Sequence, residues 1–164
     1  MRAYQVFQGL APERAESLFR ELREKSPAAF QQAVAVAAGA MRARPVYLLR
    51  QPFEKQVRAV RQALSRVAAN ELAEDLLATY FLECRRDLVT GWLDEVGLEH
   101  DDGTLKNDRP EEPPEPRLRE AVARYLGGED APVRELFLRA FAAQQAVEWP
   151  TLESILAERA GAGG

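Results

Sequence analysis

Thiol and imidazole chemistry is almost absent from this chain of 164 residues, which has one cysteine, Cys84, and one histidine, His100. A lone cysteine closes no internal disulfide. One copy of the chain therefore offers neither a thiolate metal cluster nor a zinc site with two histidines. Long apolar runs are missing too. The most apolar stretch, residues 27–41, is largely alanine and contains Gln31 and Gln32, which makes it too short and too mild to span a bilayer. The first dozen residues carry a single charge, Arg2, and no apolar core, so they read as neither signal nor transit peptide. A soluble, cytoplasmic chain with no membrane partner is expected.

Catalytic signatures are equally scarce. There is no Gly-x-Ser-x-Gly elbow and no Glu-x-x-His motif for a two-metal bundle. Gly127-Gly128 lacks the following Lys-Ser/Thr of a phosphate loop. Glu71, Glu74 and Asp75 fall where a helix would begin, and the helix dipole accounts for acids there. The expectation is no cofactor, no metal ligand and no catalytic residue.

What the chain does have is helical spacing almost throughout. Pro12 opens a helix with Ala15, Leu18, Phe19 and Leu22 on one face. Ser26-Pro27 reads as a cap and first-turn proline for a central helix carrying Phe30, Val34, Ala37 and Met41. Pro45 and Pro52 bracket a short helix or turn. Phe53, Val57, Val60, Leu64 and Val67 form the sharpest amphipathic stripe, and Asn70 is placed to cap the helix that follows. The apolar arc of residues 72–96 shifts after Gly91, which predicts a bend between Arg86 and Gly91. Gly97 then ends the helix, with Leu98 folding back on Leu93. Residues 99–116, polar and with four prolines, read as a loop. Three shorter helices follow, built on Leu118 to Leu126, Val133 to Phe141, and Pro150 to Leu156. The fold class is all-α: a single helical domain of about seven helices over residues 1–164, in which the 99–116 loop separates a main bundle from a smaller helical part.

Within that loop, His100-Asp101-Asp102-Gly103-Thr104-Leu105 resembles the first motif of the haloacid dehalogenase phosphotransferases, Asp-x-Asp-Gly-Thr-Leu. The resemblance spans six residues and puts His100 where that family has its nucleophilic aspartate. It also follows a helix end, whereas the family motif caps a buried strand. An EF-hand alignment on Gly103 fares no better, because it puts Leu98 and Arg109 at positions that must supply oxygen. A metal-dependent hydrolase using His100, Asp101 and Asp102 stands as the third-ranked functional expectation.

Charge is unevenly spread. Residues 42–70 hold seven basic residues against one acid, while residues 71–115 hold fourteen acids against four basic residues. Two readings follow. In one, the segments neutralise each other, with Arg50 or Arg61 bonded to carboxylates. In the other, Arg42, Arg44, Arg50, Arg58, Arg61 and Arg66 form an interaction surface for an anionic partner, nucleic acid included. Tyr47, Trp92 and Trp149 are candidate interface anchors, although the positions of the two tryptophans assign them to the core. The leading expectation is a non-enzymatic protein-interaction or regulatory domain, with a protein partner or a second copy of itself. Anion or nucleic-acid binding ranks second.

Overall fold

The computed structural model describes residues 1–163, and among these the chain forms ten α-helices and two very short strands. The all-α expectation holds, with more helices than the seven expected. It divides into two compact units, Arg2–Cys84 and the residues from Arg85 on together with Met1. The 99–116 segment therefore lies inside the second unit. No helix among the described residues is long and apolar enough to cross a membrane.

The first unit holds α1 (Ala3–Gln8), α2 (Pro12–Lys25), α3 (Pro27–Ala40), α4 (Pro45–Leu49), α5 (Phe53–Leu64) and α6 (Asn70–Cys84). Helix α1 precedes the helix expected to be first. Six residues are too few to hold a helix in isolation. Packing does it here: Ala3, Val6 and Phe7 are buried, and the helix lies against α5 and α6. Asn70 contributes from a distance. Its side-chain oxygen accepts the Tyr4 N–H of α1 at 3.3 Å, so it serves α1 instead of capping its own helix.

Helix α3 is the centre of this unit, packing on α2, α4, α5 and α6. An aromatic run crosses it, with Phe7–Phe19, Phe19–Phe30 and Phe30–Phe53 ring centroids at 6.1, 6.3 and 5.9 Å. Two expected core residues lie outside it. Met41 is 54% exposed because α3 has already ended, and Val67 is 70% exposed because it sits in a 3-10 turn, Val67–Ala69, beyond α5.

The second unit holds α7 (Arg86–Val96), β1 (His100–Asp101), β2 (Thr104–Leu105), α8 (Glu115–Leu126), α9 (Ala131–Ala142) and α10 (Pro150–Ala162). The break that precedes α7 falls at Arg85, just ahead of the predicted bend. Gly91 stays inside the helix, with nothing near its missing side chain. Gly97 ends α7 at φ +75°, with Leu98 N–H bonding Leu93 O at 2.9 Å and Gly97 N–H bonding Asp94 O at 3.1 Å, the expected Schellman pattern.

Residues 99–116 are not wholly irregular. Strands β1 and β2 pair antiparallel around Asp102 and Gly103, whose φ values of +49° and +97° make the tight hairpin that an Asp-Gly pair favours. Ion pairs in this unit draw acids and arginines from within it: Arg86 with Asp102, Arg119 with Glu115 and Glu158, Arg124 with Glu95 and Glu120.

Trp92 and Trp149 are both buried, as their positions implied. The Trp92 ring meets Tyr125 at 5.3 Å, and the Tyr125 hydroxyl donates to Leu88 O at 2.9 Å. Burial pushes the Tyr125 phenol well above its ordinary value. Raised pKa in the folded state means that stability is complete below the unfolded phenol's pKa of about 10 and falls as pH rises through and beyond it. Accordingly, Tyr125→Phe is expected to cost about 1 kcal/mol at pH 8 and to lose less further stability than the parent between pH 9.5 and 11. Urea midpoints at those pH values check this, and parallel declines would refute it.

Candidate functional site

Of the six arginines proposed as an interaction surface, Arg44 and Arg50 line one hollow and Arg58 and Arg61 another. All but Arg61, which is half-buried, are exposed. Within their unit Arg20 pairs with Glu16, whereas Arg42, Arg44, Arg50, Arg58, Arg61 and Arg66 have no ion pair among the described residues. The expected bonds from Arg50 or Arg61 to carboxylates are absent among the described residues.

Arg42, Arg44 and Arg50 belong to the corner where α3 turns into α4. Five of the six large apolar side chains exposed in the described residues cluster in this part of the sequence: Val36, Met41, Val46, Tyr47 and Leu49. Residues 41–51 contain no acid. Ala43, Arg44, Val46, Tyr47, Arg50 and Gln51 line an open, largely apolar hollow of about 480 Å³. The corner is held from beneath. Leu48 is buried, and the buried Gln56 of α5 donates to Leu49 O at 3.1 Å and Gln51 O at 2.8 Å. Sequence reasoning missed Gln56, since a glutamine on an amphipathic helix reads as surface until its carbonyl partners in the preceding turn, five and seven residues back, are known.

Arg42 sits at φ +56°, in the left-handed position that ends α3. Its N–H bonds Gly39 O at 3.0 Å, and the Ala43 N–H bonds Ala38 O at 2.9 Å. Glycine is the usual occupant of that position. An arginine there costs roughly 1 kcal/mol of backbone strain.

Arg58 and Arg61 belong elsewhere. Three residues apart on α5, they share one helix face and line a second open hollow, of about 370 Å³, with Gln8, Gln62 and Ser65. The two hollows share no lining residue. Arg61 Nη2 reaches the Gln8 carbonyl at 3.4 Å, and its Nε is buried without a hydrogen-bond partner among the described residues. Gln8 Nε2 donates to Ser65 O at 2.9 Å, and the Ser65 hydroxyl donates to Arg61 O at 2.7 Å. Arg66 lines neither hollow.

His100 has a structural occupation. Its Nδ1 accepts the Gly103 N–H at 3.0 Å, so Nε2 carries the proton and donates to Asp94 Oδ1 at 2.7 Å. Both ring nitrogens are thereby used in fastening the hairpin to α7. Asp102 is taken up at 2.6 Å by Arg86, and Asp101 is exposed. No group of three or more His, Cys, Asp or Glu side chains among the described residues is arranged to hold a metal ion. Cys84, expected to be buried, is half-buried at the end of α6; burial and then the nearby Glu21 push its thiol up to about 11, which keeps it protonated near neutrality.

No family model matches this chain, and no curated protein or solved structure does.

Proposed function

We propose that this chain is a protein-interaction module whose α3–α4 corner binds an acidic segment of a partner protein bearing an apolar or aromatic anchor. The observation that carries the reading is the concentration of exposed apolar side chains at the corner, interleaved with Arg42, Arg44 and Arg50 and free of acids. Exposed apolar groups such as Val46 and Tyr47, which line one hollow, are unfavourable in water unless something covers them. Tyr47, 55% exposed, offers a large, stiff ring beside the hollow, the kind of group that dominates interface energetics. The flanking guanidiniums select carboxylates, to which they bond in pairs. Strain at Arg42 supports the same reading: the position keeps a costly residue where glycine would stabilise the fold.

A random peptide library displayed on phage and selected against the full chain tests this. Enriched peptides are expected to carry Asp or Glu around a Leu, Phe or Trp. Tyr47→Ser and Arg44→Glu should each weaken their binding by about tenfold or more. Both sites are exposed, so the fold should be little affected. Arg42→Gly is expected to bind more weakly while raising stability by about 1 kcal/mol. Enrichment of peptides without acids, or binding indifferent to these variants, would overturn the reading. So would a dimer of the chain alone, seen in sedimentation and dissolved by Tyr47→Ser, which would give the corner to a second copy.

A further inference from the structure

We propose that the hollow between α1 and the C-terminal part of α5 is a binding site for a phosphate dianion, free or at the end of a small molecule, held by Arg58 and Arg61. This site is independent of the α3–α4 corner.

Every residue lining the hollow carries a hydrogen-bonding side chain, and none is a carboxylate. Two guanidiniums without an acid between them place two positive charges at one spot, which a dianion neutralises. The rest of the wall is set by its own bonds. The Gln8 amide is committed to Ser65 O and the Ser65 hydroxyl to Arg61 O, which braces the end of α1 against the end of α5. The grip is left to Arg58, Arg61 and the Gln62 amide.

Arg61 is poorly satisfied where it stands. Its bond to the Gln8 carbonyl, at 3.4 Å, is long for a charge-assisted hydrogen bond, and its buried Nε has no acceptor among the described residues. An unmet buried donor on a charged group is costly. An outward turn of the guanidinium, exchanging that long bond for bonds to the ligand, brings the Nε–Nη edge onto a phosphate and satisfies both nitrogens. The hollow, at about 370 Å³, is of a size for a small ligand. No aromatic residue lines it, so it lacks the stacking surface with which proteins follow a single nucleic-acid strand.

Isothermal titration of the full chain at fixed ionic strength in sodium chloride tests the site, with inorganic phosphate, ribose 5-phosphate and a twelve-nucleotide deoxythymidine strand as probes. Saturable one-site binding of inorganic phosphate, of ribose 5-phosphate, or of both is expected, and the pattern tells a free-ion site from one for a phosphorylated small molecule. Arg58→Gln and Arg61→Gln should each weaken it at least about tenfold, while Arg44→Gln and Arg50→Gln leave it unchanged. Arg58 is exposed, so its variant keeps the test valid even if the Arg61 variant loses helicity by circular dichroism. The proposal is overturned by absence of saturable phosphate binding or by equal losses across all four variants. Binding of the strand alone would also overturn it, in favour of nucleic acid.

Discussion

Trp149→Ala is expected to remove about 3–5 kcal/mol from the unfolding free energy. The indole is 1% exposed and meets the Phe141 ring edge-on at a centroid distance of 5.1 Å. Its N–H also donates to the Pro110 carbonyl at 2.8 Å, in a buried setting. Alongside it, the Glu112 carboxylate accepts the Leu152 N–H at 3.0 Å, in the first turn of α10 where the helix dipole favours an anion. Residues 110–112 are thus tied to the start of α10 by one neutral and one charge-assisted bond. Alanine removes the ring, opens a cavity and leaves a buried carbonyl without its donor. Phenylalanine keeps most of the apolar contact and should cost only about 1–3 kcal/mol, the penalty of the unpaired carbonyl. Urea unfolding followed by the emission of Trp92, the remaining tryptophan in the alanine variant, measures both. A Trp149→Ala loss within 1 kcal/mol of the parent would sink this account of how the proline-rich segment is held.

Elements that announce themselves through backbone chemistry were legible in the sequence. Pro12, Pro27, Pro45 and Pro150 each open a helix at its first residue, and Gly97 closes one in the left-handed conformation. Each is a local rule, satisfied within a turn of the residue. The failures are long-range. Asn70 carries a cap residue's chemistry but spends it on Tyr4, 66 residues away, and the short α1 exists because other helices cover it. The hairpin was available locally: Asp102-Gly103 is a strong turn signal, obscured by the prolines that follow.

Of the candidate site, the residue types were legible and their grouping was not. Arg58 and Arg61 share a face by helical spacing alone, but the hollow beside them also needs Gln8 from another helix. That Arg42, Arg44 and Arg50 flank exposed apolar groups depends on where α3 stops, and Met41 passes from expected core to surface with that boundary. The run of basic charge looked like one feature. The fold places Arg44 and Arg50 at a largely apolar hollow, Arg58 and Arg61 at another whose side chains all carry hydrogen-bonding groups, and Arg42 and Arg66 at neither.

Phe19→Ala should be as damaging to the first unit as Trp149→Ala is to the second. Phe19 is fully buried on α2, and its ring lies between Phe7 of α1, stacked at 16° between planes, and Phe30 of α3. Removing it separates three helices at their common contact, for an expected loss of about 3–5 kcal/mol, against about 1 kcal/mol for Phe19→Leu. Both tryptophans lie outside Arg2–Cys84, so far-UV circular dichroism and amide exchange in α2 and α3 are the appropriate readouts. The consequence extends to binding. The corner hangs from the end of α3, so Phe19→Ala should weaken the selected acidic peptides in proportion to the unfolded fraction, and adding urea to the parent should reproduce the effect. Tyr47→Ser should weaken the same peptides at unchanged stability. If Phe19→Ala kept full peptide affinity with its α3 amides exchanging freely, the corner would not depend on the folded α3. The recognition surface would then have to be sought elsewhere.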